Sequence, residues 1–329
     1  MRKIYALVAL LILGVACNNT AKKQNNDGKL VTTQERAAED TPTPTTYEEG
    51  TRRMERTVAP IGEIGSIEEL NYALEHYWDG FDFECGERVS EYDINDICQA
   101  LIDYTPYVIA SRDPHHMATI IDRAEASRPV LDFMWEVCEI VLHDPNSPMR
   151  NDELYIPILE RLAVSPLLDE YERLIPEHDL KIAQQNRIGT IANDFVYTLA
   201  DGTTGHLHDI EANYTILMFN NPDCPMCREI IEEIGASPLL NERQEMGRVR
   251  IIAVYPDSDL DAWHRYRSQM PRRWIVSYDD GCIIENNDLY NLSAIPSLYL
   301  LDSEKRVIIK DGIDVKNIEN AIAYMESYN

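Results

Sequence analysis

The chain has 329 residues, 44% of them hydrophobic and 26% charged, with 14 Gly and 17 Pro. That length suggests about two domains at roughly 100–200 residues each, and the composition excludes a wholly disordered, collagenous or multi-span membrane chain. Thirty Lys and Arg stand against 57 Asp and Glu, a formal net charge of −27. Such a surface repels phosphate backbones, so no nucleic-acid partner is expected.

The chain opens with Met1-Arg2-Lys3, an apolar run from Ile4 to Leu13, and Gly14-Val15-Ala16-Cys17. A basic start, an apolar run of about ten residues and a small-residue cut site make a secretory signal peptide. The run is too short to cross a bilayer, which takes roughly 20 apolar residues. Residues 1–16 resemble a bacterial lipoprotein signal, which implies that Cys17 becomes the lipid-bearing (palmitate-type) first residue of the mature chain. Gly14 holds the place of the usual lipobox Leu, and the alternative is an ordinary signal peptide followed by an incidental Cys. Residues 17–58 read as a flexible tether; Thr41-Pro42-Thr43-Pro44-Thr45-Thr46 cannot bury enough surface to offset its conformational entropy. No acidic residue directly follows Cys17. A periplasm-facing lipid anchor in the cell envelope is expected, on the inner or the outer membrane.

Residues 59–187 carry helical periodicity and no strand pattern. Ser66-Ile67-Glu68-Glu69 has capping-box spacing ahead of a segment ending near Tyr77-Trp78. Ile94, Ile97, Cys98, Leu101 and Ile102 recur as one buried helix face requires, and Val130, Phe133, Met134, Val137 and Val141 repeat the pattern after Pro129. Asp144-Pro145-Asn146-Ser147-Pro148 is a turn. Two more helices are predicted over 152–163 and 167–186, with Pro157 kinking the first and Pro176 interrupting the second. The aromatics Tyr77, Trp78, Phe81 and Phe83 read as core or domain-interface anchors before they read as a ligand site.

Over residues 188–329 the pattern alternates. A hairpin is expected from 195–199 and 206–209, then a strand at 214–219, a helix at 226–234, a strand at 249–255 and a helix at 260–267. A strand around 274–276, a short helix near Tyr290, an antiparallel pair at 297–301 and 307–310, and a helix at 318–325 complete it. Strands alternating with helices imply an α/β domain, a central mixed sheet with helices on both faces. The charge is unevenly shared: 27 acidic against 8 basic residues over 58–186, and 23 against 13 over 187–329.

One constellation carries chemistry. The strand at 214–219 runs into Asn220-Asn221-Pro222-Asp223-Cys224-Pro225-Met226-Cys227 and then a helix. A thiol at a helix N-terminus meets unsatisfied N–H groups and the positive end of the dipole, which favour the thiolate. Two intervening residues set the second thiol one turn in, where it can resolve a mixed disulfide. This spacing near a βαβ pattern suggests a thioredoxin-like redox pair. Half of a zinc site is the alternative, but it lacks nearby partner ligands: His206 and His208 share a strand face and His115-His116 is distant. No metal or other cofactor is implied. Ala294-Ile295-Pro296-Ser297 sets a proline directly before an apolar strand, which suits a tight turn with a cis bond, an ordinary trans edge-strand proline being the alternative.

Tyr290-Asn291-Leu292-Ser293-Ala294-Ile295-Pro296-Ser297 resembles the cis-Pro signature of thioredoxin folds. Residues from about 188 to 329 resemble a thioredoxin-like domain of the TlpA/peroxiredoxin-related kind, and Ala192-Asn193-Asp194-Phe195 with Asp201-Gly202 resembles its leading hairpin. The whole chain resembles a family of Gram-negative lipoproteins whose helical N-terminal region is known as domain of unknown function 5106. The matching stretches are 77–83, 144–148 and 186–189. The resemblance implies that Cys224 attacks, Cys227 resolves and Pro296 shapes the substrate groove. Departures are also present. Met218 stands where thioredoxin has a buried Asp, Asn193 where Pro is common, and Asn221 where a peroxiredoxin needs Thr or Ser, which disfavours peroxidase activity. Asp223 is expected to face solvent.

Cys98 and Cys138 fall on apolar helix faces and are assigned to packing; Cys85 is the remaining cysteine expected to pair or react, and Cys282 is left open. Two readings follow. The first is a membrane-anchored thiol–disulfide oxidoreductase that reduces or isomerises disulfides of envelope proteins and is served by an electron-donor protein. The second is a thioredoxin-fold binding lipoprotein with little turnover, whose acidic helical domain recruits a partner.

Overall fold

The computed structural model describes residues 52–327. The signal peptide, Cys17 and the first part of the tether lie outside the described residues. The segment 52–58, expected as the end of the tether, belongs instead to the folded body. Arg52 N–H donates to Glu91 O, Asp93 N–H donates to Arg52 O, and the buried Met54 donates its N–H to Asp96 Oδ2 at 2.9 Å.

The capping box forms as its spacing requires. Ser66 Oγ accepts the Glu69 N–H at 3.1 Å and Glu69 Oε2 accepts the Ser66 N–H at 3.2 Å, starting α1 (Ile67–His76). A 3-10 turn (Tyr77–Gly80) leads to α2 (Ile94–Ser111), capped by Asp93. A short α3 (Ala118–Ala124), absent from the sequence pattern, precedes α4 (Arg128–Cys138), which carries Pro129 in its first turn. α5 (Asp152–Leu162) contains Pro157 within an unbroken helical assignment. The helix expected over 167–186 is shorter, α6 (Leu174–Ala183). Arg173 holds the preceding turn by donating to Ser165 O, and Asp169 accepts the Tyr171 and Glu172 N–H groups. Pro176 therefore sits in a first turn, where no N–H is needed, and interrupts nothing. The aromatic run is core: Tyr77, Trp78, Phe81 and Phe83 are buried, and the Tyr77 hydroxyl donates to Ala100 O at 2.9 Å.

The second body is built on β1 (Val196–Thr198), β2 (Thr204–His206), β3 (Tyr214–Phe219), β4 (Val249–Tyr255), β5 (Ile275–Tyr278), β6 (Ser297–Asp302) and β7 (Val307–Gly312). They form one seven-stranded sheet, ordered β2-β1-β5-β4-β3-β6-β7. β3 pairs parallel with β4 and antiparallel with β6. The helices are α7 (Pro225–Ala236), α8 (Pro238–Glu245), α9 (Leu260–Tyr266), α10 (Ile283–Asn286) and α11 (Val315–Ser327). Every residue of β3 is buried, because both faces are covered and a continuous apolar run is what such a strand needs. Ile216 and Met218 pack with α7 and α11 residues on one face; Leu217 and Phe219 pack with Phe195, Tyr290 and Tyr299 on the other. The first hairpin strand is shorter than expected, the second lies earlier, at Thr204–His206, and shares only His206 with the expected 206–209, and the short helix expected near Tyr290 lies earlier, at α10. Tyr290 is instead a buried aromatic whose hydroxyl donates to Asn193 O at 2.6 Å.

The two bodies meet through polar groups. Asn186, at a positive φ of 50°, donates to Leu289 O and accepts the Asn193 N–H at 2.7 Å. A proline at position 193 could not make that last bond, which accounts for the Asn found there.

Gly80 tests how tightly the 52–58 segment is seated. A Cβ at this position would lie 1.9 Å from Glu55 O. Gly80→Ala is expected to cost about 1–3 kcal/mol of stability as an overpacked contact. Urea unfolding that returned the wild-type midpoint would contradict that seating.

Candidate active site

β3, fixed between β4 and β6 in the interior of the sheet, delivers the chain to Asn220, whose N–H donates to Val254 O at 3.1 Å. The loop Asn221–Asp223 then turns into α7. Cys224 is the N-cap of α7 in extended geometry (φ −91°, ψ 110°), and Pro225 follows at the helix start, where its missing N–H costs nothing. The cap group is sulfur: Cys227 N–H points to Cys224 Sγ at 3.0 Å. The two cysteines are joined as a disulfide, with Cα atoms 5.2 Å apart.

Across from them, the Ile295–Pro296 peptide bond is cis. Cys224 Sγ lies 3.6 Å from the carbonyl oxygen of Ile295. The structure thus brings Cys224, Cys227 and the Pro296 loop together. Cys17 lies outside the described residues. The two sulfurs differ in access. Cys227 is fully buried beside Met218 in the core on one sheet face, whereas Cys224 is half-buried at the edge and its neighbour Met226 is 48% exposed. Asp223 faces solvent. An incoming sulfur can therefore reach Cys224 and not Cys227. In the reduced form, the Cys227 N–H and the α7 N-terminus favour the Cys224 thiolate. Met218 provides no carboxylate beside Cys227, so its proton must leave by another route.

Among the described residues, the other cysteines, Cys85, Cys98, Cys138 and Cys282, are unpaired. Cys85, expected in the sequence to pair or react, is buried among the helical-domain aromatics, and that burial pushes its thiol up. Burial pushes Cys98 up to about 11, and it raises Cys138 and Cys282 as well. His206 pairs with Asp194 at 3.0 Å and His208 Nε2 lies 2.8 Å from Ala192 O. Which group faces Cys224 across the gap is not legible in side-chain types. A carbonyl contact depends on backbone geometry, and the only hint was its place before Pro296.

The fold and the thiol pair define the second body as a thioredoxin-like domain. The family described as thioredoxin-like matches residues 212–307, and the family described as a domain of unknown function (DUF5106) matches residues 20–186. The chain belongs to the DUF5106 family. A thioredoxin-like protein from Bacteroides caccae, solved as a crystal structure, is 34% identical. The alignment covers 83% of this chain and 99% of that one, with a TM-score of 0.76. The C-terminal domain of an uncharacterized protein from Bacteroides fragilis is 41% identical over 42% of this chain and 98% of its own, with a TM-score of 0.41. Bovine nucleoredoxin is 28% identical over 123 residues, which is 37% of this chain. The chain spans about a quarter of such relatives, 28% of the bovine protein and 24% of the zebrafish one.

The difference in access gives a measurable order of reactivity. After reduction at pH 7, iodoacetamide is expected to label Cys224 at least tenfold faster than Cys227, Cys85, Cys98, Cys138 or Cys282. Exposure sets Cys224 apart from the buried Cys227, Cys85 and Cys138, whereas the half-buried Cys98 and Cys282 are raised by desolvation and hold little thiolate at that pH. Mass spectrometry of the labelled peptides reads the order, and equal labelling of Cys224 and Cys227 would contradict the geometry.

Proposed function

We propose that this chain is a thiol–disulfide oxidoreductase, anchored to a membrane through lipid on Cys17 and acting in the cell envelope on disulfides of other proteins. The observation that carries the reading is the disulfide at the start of α7, with one sulfur accessible against the Ile295 carbonyl and the other buried. The Cys224 thiolate attacks a substrate disulfide, forming a mixed disulfide and releasing one substrate thiolate. The Cys227 sulfur then attacks Cys224 Sγ, which releases the second substrate thiol and leaves Cys224 and Cys227 joined. Two electrons pass to the substrate, and the two protons of the thiol pair end on its sulfurs. A donor protein's dithiol returns the pair to the reduced form by the same exchange in reverse. When the mixed disulfide is instead attacked by another substrate thiol, the outcome is isomerisation.

Pro296 closes the opposite wall of the groove, leaving the peptide group of Ile295 beside the mixed disulfide. The tether before residue 52 would let the folded body reach substrates away from the membrane surface. The net reducing direction is part of the proposal, and it is supported by the resemblance of Ile295 before the proline to reductant-type thioredoxins.

Replacing the resolving thiol tests the reading. In the full chain, Cys227→Ser is expected to accumulate mixed disulfides between Cys224 and envelope proteins, seen as dithiothreitol-sensitive adducts on non-reducing gels. Cys224→Ser in the same cells is expected to yield none. Equal adducts in both variants, or none in either, would sink the assignment of Cys224 as the attacking thiol.

A further inference from the structure

The sulfur atoms of the described residues divide by access. Met54, Met117, Met134, Met218 and Met270 are buried in the cores, and the half-buried Met149 and Met325 pack against them. Two thioethers stand open, Met226 at 48% exposure and Met246 at 55%, and neither packs into any of the three cores. Met246 is the C-cap of α8. Met226 lies in the first turn of α7, after Cys224 and directly before Cys227. The cysteines are less open to an oxidant. Joined as a disulfide, Cys224 and Cys227 hold no thiolate. Cys85 and Cys138 are buried, and desolvation keeps the half-buried Cys98 and Cys282 as neutral thiols at pH 7. A peroxide that reaches the active-site end therefore meets the thioether of Met226 as its accessible sulfur.

The position gives oxidation a consequence. A protein joined to Cys224 as a mixed disulfide must cover the turn that carries Met226. The thioether offers a flexible apolar surface there, suited to partners of varied shape. Its sulfoxide is polar and chiral, and covering that oxygen without a donor opposite it is unfavourable. We propose that Met226 is a modification site: a peroxide oxidises its thioether to the sulfoxide, and this slows attack by Cys224 on protein disulfides. The proposal rests on the thiol–disulfide reading above. In the step, the Met226 sulfur gives a lone pair to one oxygen of hydrogen peroxide, an S–O bond forms and the O–O bond breaks. The proton of the transferred oxygen passes to the other oxygen, which leaves as water. Sulfur loses two electrons and the peroxide gains them. The disulfide and the α7 backbone take no part, so the change is confined to the surface beside the attacking sulfur.

The test holds the full chain as the Cys224–Cys227 disulfide and treats it with hydrogen peroxide. The peroxide is then removed, the pair is reduced with dithiothreitol, and the reductant is removed in turn. The readout is the rate of exchange with a short peptide carrying one internal disulfide flanked by leucines. Mass spectrometry of the digested chain reports which methionines carry oxygen, and each variant is compared with its own untreated rate. Treated wild type is expected to carry sulfoxide at Met226 and Met246, to exchange roughly threefold more slowly or worse, and to recover with methionine sulfoxide reductases. Met226→Leu is expected to keep its rate through treatment, and Met246→Leu to lose it as wild type does. The proposal is overturned if Met226 stays unoxidised, if wild type with oxidised Met226 keeps its rate, or if Met226→Leu slows as much as wild type. An untreated wild type that does not exchange with the peptide overturns this proposal and the oxidoreductase reading together. An untreated wild type that exchanges, and whose rate survives oxidation of Met226, overturns this proposal alone.

Discussion

The N-terminal end of α7 must be held in one place for the thiol pair to work, and the sheet does that through β3. This strand lies between β4 and β6, its six residues are buried on both faces, and the chain leaves it directly into the loop that presents Cys224. The helix it enters is capped by the reactive sulfur itself. A helix cap is usually a Ser, Thr, Asp or Asn side chain. With Cys in that place, the group that satisfies an orphan N–H is also the group proposed to attack, so the folding requirement and the proposed thiolate-stabilising arrangement are one interaction.

The opposite wall has a comparable economy. β6 is registered on β3 so that Ser297 lies opposite Phe219, the last residue before the active-site loop. The residues just before β6, Ile295 and Pro296, are consequently brought level with the start of α7. The placement of the two halves of the site depends on this strand pairing, and the cores above and below the sheet hold it there.

Much of this was readable in the residues, and the parts that were not share a physical reason. The capping box at Ser66, the apolar runs of β3 and β4, the thiol spacing and the Pro before β6 are local patterns, each set by neighbours in sequence. α8 was missed because its residues Pro238–Glu245 are mostly polar and only Leu240 is buried, so it has no apolar stripe to betray it. The short helix near Tyr290 was misplaced because a four-residue helix such as α10 leaves little periodicity, while Tyr290 is held by tertiary packing in the core behind the sheet. Cys85 looked reactive in its loop until three-dimensional packing enclosed it. Arg150 of the helical body pairs with Asp311 of the thioredoxin-like domain, a contact invisible for the same reason: its partners lie in different domains, and neither has a local signature. The charge excess has also gained a location. With 27 acidic against 8 basic residues over 58–186, the helical body is strongly acidic, yet its contact with the thioredoxin-like domain uses one of its few arginines.

The proposed cycle has the Cys224–Cys227 pair working as a reductant. Its reduction potential, measured by equilibrating the full chain in graded thiol–disulfide buffers and quantifying the free pair, tests that most directly. A reductant is expected to show a reversible two-electron couple near about −270 mV, where thioredoxin lies. A couple near about −120 mV, the range of a strong oxidant, or a disulfide that does not cycle at all, would contradict it.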